Sequence, residues 1–388
     1  MANPFLLEIT PKNLLSFGPN PETIKLQSLN VLIGANGSGK SNFIEMISLL
    51  RSTPGEIRYA FRPSGISDWI SKQSNSASAV LDVVVNNDKG TLPLRHILGF
   101  DVVNNMFVLH NEQIENSQPY PGKSDSYFYY RYQNGNPIVN VKNEKRDLQS
   151  ETVLPNSSIL FQRQDPEQYP EIHYLARNYQ GIKIFREWEF GRNSRLRQPQ
   201  DADDNPSDLK EDFSNLAMHL NYLNSFPAVR KKIREKITDI FDGASDFGVD
   251  IFGNKVQLYL FDGEDKIPAT RLSDGTLRYL CLLAILCNPN PCPLICLEEP
   301  ELGLHPDLLS GLVDLIKECS ERTQMIVTTH SEFLVDSFSN SPDCVIVVER
   351  EDKITEMRRL SPDALKIWLE EYTLGNLWIR GQLGGTRW

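Results

Sequence analysis

Eight consecutive residues, Gly34-Ala35-Asn36-Gly37-Ser38-Gly39-Lys40-Ser41, have the types and spacing that hold phosphate. Glycines let the backbone wrap closely enough for its amides to face phosphate oxygens, and a helix opening near Lys40 presents its positive end to the same charge. Lys40 supplies a cation to the terminal phosphates and Ser41 a hydroxyl to magnesium. Far along the chain, Leu294-Ile295-Cys296-Leu297-Glu298-Glu299 reads as an apolar strand ending in two carboxylates. Glu298 is placed to hold magnesium through water, and Glu299 to polarise an attacking water beside the terminal phosphate. Together the two runs imply binding of ATP or GTP and cleavage of its terminal phosphate.

Such groups need a sheet edge to converge on. Leu29 to Ile33 is strand-like before the loop, and Asn42 to Leu50 has helical spacing after it. In the last third, helical segments (277–286, 308–319, 332–338) alternate with short apolar strands (294–297, 325–328, 345–348), the signature of βαβ units on a largely parallel sheet. The middle differs. Strand-like runs at 79–85, 102–110, 126–133 and 138–141, separated by Asn, Asp, Gly and Pro, predict an antiparallel sheet with one wet face. A helix at 169–178, a strand at 182–185, an acid-rich loop at 201–212 and an amphipathic helical region at 213–241 follow. No internal repeat or long heptad run is visible.

The 388 residues carry 40 Lys plus Arg against 51 Asp plus Glu, a net charge of −11, which argues against a general nucleic-acid coat and requires any such contact to be local. No run of 18 apolar residues spans a membrane, and Met1 to Thr10 lacks a secretory pattern, so a cytoplasmic location is expected. All six cysteines lie between Cys281 and Cys344; Cys287, Cys292 and Cys296 are not spaced as metal ligands and read as core.

Leu272-Ser273-Asp274-Gly275-Thr276 resembles the signature motif of ATP-binding-cassette ATPases, Thr329-His330-Ser331 their switch histidine, and Pro300 to Pro306 their D-loop. The runs LNVLIGANGSGKSNFIE, LEEPELGLHPDLL and IVTTHSEFLVD are similar to soluble ATPases of the RecF and SMC branch. The resemblance implies an α/β P-loop NTPase with an ABC-type head: a mixed, mostly parallel central sheet, an antiparallel subdomain and an inserted helical lobe. It divides the chain at 1–165, 166–265 and 266–388, with a compact insertion in place of a coiled coil. It also implies ATP and Mg2+ as ligands, bound by Asn36, Gly37, Ser38, Gly39, Lys40, Ser41, Asn42, Ser273, Asp274 and Gly275. Glu299, His330 and Lys40 are the implied catalytic groups, and Ser41, Glu298 and Gln162 the implied magnesium ligands. Gln162 is chosen over Gln164 as the glutamine that reports the terminal phosphate. Most relatives have Asp where this chain has Glu298. Arg51 and Arg58 either reach phosphate or lie on the surface.

In this branch two ATP molecules are sandwiched in a head-to-tail homodimer, each phosphate loop facing the partner's Ser273 to Gly275. The helix opening at Ser273 is itself a natural phosphate binder. The work driven is less legible. Lys183, Arg186, Arg192, Arg195 and Arg197 are interleaved with Phe185, Trp188 and Phe190, as a nucleic-acid surface requires, although Glu187, Glu189 and the following acidic loop dilute the charge, and a solvated loop or a partner-docking face is the alternative. DNA repair or defence against mobile elements is one reading, and a scaffold ATPase holding a separate effector, such as a nuclease, is the other. The tail from Leu360 to Trp388, with Trp368, Trp378 and Trp388, is expected to pack on the body or a partner, and is too short for a fused nuclease.

Overall fold

The computed structural model describes residues 3–385 except 21, 63, 75, 134, 143–146, 151–152, 155, 241–242 and 291. The chain opens with β1 (Leu6–Lys12), β2 (Ile24–Lys25), β3 (Leu29–Ile33) and α1 (Lys40–Ser52). Six strands follow: β4 (Ser78–Val85), β5 (Leu94–Val103), β6 (Met106–Asn116), β7 (Phe128–Gln133), β8 (Asn136–Val141) and β9 (Asp147–Ser150). Next come α2 (Ile159–Gln162), α3 (Pro170–Gln180), β10 (Lys183–Phe185), β11 (Gln200–Asp201), α4 (Leu216–Leu223) and α5 (Pro227–Ile237). Then β12 (Ala244–Phe252), β13 (Lys255–Asp262), β14 (Asp265–Pro268), α6 (Asp274–Leu286), β15 (Leu294–Glu298), α7 (Asp307–Ser320) and β16 (Gln324–Thr329). The chain closes with α8 (Glu332–Asp336), β17 (Val345–Glu351), β18 (Ile354–Arg359), α9 (Pro362–Leu369) and α10 (Leu374–Ile379).

The central sheet runs β10-β15-β16-β3-β17-β18, parallel except for β18. Alternation along its apolar strands decides the layers. Val31, Ile33, Ile295, Leu297, Met325, Val327, Val345 and Val347 face a core shared with α6 and α7. Leu32, Leu294, Cys296, Ile326, Ile346 and Val348 face a second core shared with α1, α3 and the antiparallel sheet. Because β16 lies between β3 and β15, it delivers Thr329 and His330 between the phosphate loop and the two carboxylates. All six cysteines are free, and burial pushes the Cys287 and Cys319 thiols up to about 11.

The other large sheet, β2-β1-β4-β5-β6-β7-β8-β9, is antiparallel throughout. In β4 every second residue is buried, as expected for a sheet with one wetter face. Residues 24–33 hold two strands, β2 and β3, in different sheets, and Arg359 and the Asn30 side chain fasten the backbone at Lys25 and Gln27 between them. The helical region 213–241 is two helices, since Pro227 starts α5 afresh, and Phe241 lies outside the described residues. A small antiparallel sheet of β11, β12, β13 and β14 accompanies them, so the inserted region mixes helix and sheet. β10, which lies between positions 165 and 265, completes the edge of the central sheet beside β15. In the tail, Leu374, Leu377 and Trp378 are buried where α10 meets α8, whereas α9 buries none of its residues; Trp388 lies outside the described residues. Among the described residues no helix is long and apolar enough to cross a membrane.

Candidate active site

The phosphate loop is held in shape from the far end of the chain. Gly39, with φ +116°, precedes α1, and a β-carbon there would lie 2.2 Å from Thr355 Oγ1. Thr355 on β18 donates to the Ser38 carbonyl at 2.8 Å, turning Ser38 into the body. Lys40 is buried, and its ammonium donates to the carbonyls of Gly34 at 2.8 Å and Ala35 at 3.1 Å. Burial pulls its pKa down to about 8, with Glu299 and Glu298 opposing.

Parallel strands discharge their C-terminal ends on one edge, and here that edge forms a cavity of about 370 Å³. Its wall includes Asn36, Gly37, Gly39, Lys40, Ser41 and Asn42, with Glu298, Glu299 and His330 across from them. Glu299 has φ +46° and its amide donates to the Thr328 carbonyl at 3.0 Å. That geometry turns its carboxylate to within 3.2 Å of His330 Nε2. Burial, reinforced by the nearby Lys40 charge, holds His330 below its usual pKa despite Glu299, so the ring is neutral at pH 7.

The structure supplies a test of whether a magnesium ion suits Ser41 and Glu298. Glu298 Oε1 is buried without a hydrogen-bond partner, a costly state that a cation relieves. Burial raises the Glu298 carboxyl above its usual range, while a hydrogen bond from Ser41 and the charge of Arg186 oppose. No group of three or more His, Cys, Asp or Glu among the described residues could hold a metal alone. The donor set therefore fits a magnesium ion that arrives with phosphate oxygens.

Other predicted residues stand elsewhere. Gln162 is not at the cavity: its amide accepts from Leu154 N at 2.8 Å and donates to the Ser157 carbonyl at 2.9 Å, closing its own turn. Gln164 is likewise held, by the carbonyls of Pro54 and Leu160. Arg51 pairs with Glu211, and Arg58 with Glu56 on the surface. Ser273 caps α6, accepting from Thr276 N at 3.1 Å, and with Asp274 and Gly275 it lies outside the cavity wall.

Sequence reasoning missed Arg350 in the cavity wall and assigned Arg186 and Trp188, also in that wall, to a nucleic-acid surface; it gave no role to Glu301, which holds the residues before the histidine. Trp188 Nε1 donates to the Glu298 carbonyl at 2.9 Å, and Arg278 donates to the Glu299 carbonyl at 2.7 Å while lying 4.4 Å from the Trp188 ring centre. Buried Glu301 accepts from Thr329 Oγ1 at 2.6 Å and His330 N at 3.1 Å, fixing the histidine turn. The one available signal was the short strand at 182–185, whose partner the sequence does not disclose.

The basic and aromatic segment is consumed internally. Lys183 pairs with Asp208, Arg186 with Glu45, Arg195 with Asp212 and Arg197 with Asp274. Phe185 and Trp188 stack on Phe213, each with ring centres 5.4 Å apart. Arg197 also donates to the carbonyls of Phe190, Ala269 and Leu272, tying the segment to the signature turn.

Residues 29–336 match the family described as "AAA domain, putative AbiEii toxin, Type IV TA system". No curated protein matches the chain in sequence. Among solved structures, the chain is similar to an SMC head bound to the C-winged helix domain of ScpA, at 18% identity and TM-score 0.56, over 93% of this chain and 99% of that one. It is also similar to an SMC head with an extended coiled coil, bound to the C-terminal domain of ScpA, from Pyrococcus furiosus (16% identity, TM-score 0.56, 95% and 99% covered). A third likeness is to an SMC head with a coiled coil and joint from Pyrococcus yayanosii (14%, TM-score 0.51, 95% and 99%). At these identities the likeness is one of fold. With its phosphate loop, paired glutamates and histidine on one edge of an SMC-head fold, the chain belongs to that AAA-domain family and is an ATPase.

Proposed function

We propose that two copies of this chain close head to tail on two molecules of ATP, each copy offering Ser273, Asp274 and Gly275 to the nucleotide held by the other. The observation that carries this is the separation of the two phosphate-binding elements. Ser273 and Asp274 are exposed at the start of a 13-residue helix, yet they do not line the cavity of their own chain. Gly275 also packs so near the D-loop that a β-carbon would lie 2.8 Å from the Gly303 carbonyl. In this reading Ser41 and Glu298 hold magnesium, which neutralises phosphate charge. Lys40 binds the terminal phosphates, Glu299 takes the proton of the attacking water, and neutral His330 orients that carboxylate. A neighbouring cavity of about 470 Å³, sharing Asn42 and Arg350, has room for the nucleoside.

Complementation tests the shared site. Lys40→Ala spoils a phosphate loop and Ser273→Arg spoils a signature, so each variant alone is inactive. Mixed in equal amounts, half the pairs are hybrids with one complete site, and about a quarter of parent ATPase activity returns. No recovery on mixing overturns the head-to-tail reading.

We read the work of this closure as acting on a separate effector protein. The segment 183–197 that made DNA attractive has four of its five cations bound to carboxylates. The other basic stretch, α5, is in the same state: Arg230 and Arg234 face Asp246, Lys231 faces Glu235, Lys232 faces Glu318 and Lys236 faces Asp239. Phosphates would have to displace these partners. Ile367 and Trp368 on α9, by contrast, are 80% and 48% exposed, apolar surface suited to a protein. Two of the similar SMC-head structures are likewise of heads bound to a domain of another protein, ScpA. Double-stranded DNA is expected to leave ATPase turnover unchanged at low salt. Stimulation that falls steeply with added salt restores the DNA reading.

A further inference from the structure

We propose that Arg186 is a catalytic residue that contacts the terminal phosphate, and that Glu45 holds its guanidinium back until nucleotide is bound. The inference rests on the ATP reading of the cavity, not on head-to-tail closure.

Strand register puts Arg186 at the site. In the parallel pair β10 and β15, Lys183 faces Ile295, Ile184 faces Cys296 and Phe185 faces Leu297. The next positions, Arg186 just past the end of β10 and Glu298 at the last residue of β15, both line the cavity with Lys40, Ser41 and His330. This is a strand-end position beside the carboxylate strand, and neither Gln162 nor Gln164 reaches it. Arg186 is a cation that cannot lose its proton, with a planar fork matched to phosphate oxygens.

Its present partner is informative. Arg186 Nη1 lies 2.5 Å from Glu45 Oε1, and both side chains are 30% exposed. Glu45 sits one helical turn beyond Ser41 on α1, so the guanidinium, in the same cavity wall as Ser41, is tied to a carboxylate on the helix that opens at the phosphate loop. A partly exposed ion pair contributes little to folding, about 0–1 kcal/mol. A carboxylate beside a site for a highly charged anion makes sense as a restraint, because incoming phosphate competes with it for the same guanidinium. The backbone beyond is fixed by the Trp188 and Arg197 hydrogen bonds, leaving the side chain as the part free to swing.

The two partners therefore have opposite mutational signs. Expected for Arg186→Ala is a kcat about 100-fold lower with ATP affinity changed less than about tenfold, the split of a group acting mainly on the transition state. Arg186→Lys, which keeps the charge and the Glu45 pair, should recover only part of the rate. Glu45→Gln should raise kcat/KM about two- to fivefold, and the Arg186→Ala, Glu45→Gln double variant should match Arg186→Ala. Turnover, ATP binding and melting temperature are measured for all five chains. Arg186→Ala at the parent kcat overturns the inference alone. So does Glu45→Gln as slow as Arg186→Ala with an equal loss of melting temperature, the mark of a structural pair. If Arg186→Ala does not fold, Arg186→Lys decides, with parent kcat counting against. A parent chain that fails to bind ATP overturns the nucleotide reading and this inference with it.

Discussion

Lys40→Ala binds ATP at least about a hundredfold more weakly than the parent and shows no ATP turnover above background. Its ammonium is the buried cation of the phosphate loop, already oriented by the Gly34 and Ala35 carbonyls at 2.8 and 3.1 Å. A hydrogen bond to a charged group contributes about 1.5–3 kcal/mol, so losing two removes roughly 3 kcal/mol or more, a factor of at least about 100 in affinity. Folding is not the cause, because burying this cation is unfavourable, as its pKa of about 8 records. Melting without nucleotide therefore stays near the parent value. The same pKa sets a pH dependence. Below pH 8 the ammonium is protonated and affinity is flat; as pH rises through 8 towards 9 the proton is lost and parent affinity falls, a slope that Lys40→Ala lacks. Calorimetric titration with ATP checks both statements, and Lys40→Ala binding within tenfold of the parent refutes the assignment.

Glu299→Gln retains ATP but hydrolyses it roughly 100- to 1000-fold more slowly, the usual contribution of a positioned general base. Glutamine has nearly the same shape, and the backbone that aims it is held by the Thr328 carbonyl on one side and Arg278 on the other. The left-handed φ of +46° is thus imposed by the surroundings and survives the change. What is lost is the carboxylate 3.2 Å from His330, the group proposed to accept the water's proton. With hydrolysis stalled, saturating ATP and magnesium should trap the closed pair, read as a doubled mass by light scattering. A variant that stays monomeric refutes the head-to-tail proposal, and one that turns over at the parent rate refutes the role of Glu299 as base.

Much of this site was legible because its parts are local. A phosphate loop is eight adjacent residues whose backbone does the binding, and Glu298, Glu299 and His330 each follow directly on an apolar strand. Adjacent residues travel together into the fold, so spacing alone places them. The alternation of helical segments and short apolar strands in the last third carried further, predicting the largely parallel sheet on which they meet.

Contacts between distant segments were not legible. Gln162 looked right from its place after an apolar run, but that run is a four-residue helix whose nearby turn takes up the amide. The cations at 183–197 looked free until the fold laid the acidic loop at 201–212 against them. Arg186 became part of the site only because β10 pairs with β15, more than 100 positions later. By itself the sequence determined the phosphate loop and the strand-end residues Glu298, Glu299 and His330, which line one cavity, since each lies in a short run of neighbouring residues. Only the tertiary structure decided which distant charges cancel and which reach the cavity, because strand pairing and long-range ion pairs depend on where the chain returns, not on local spacing.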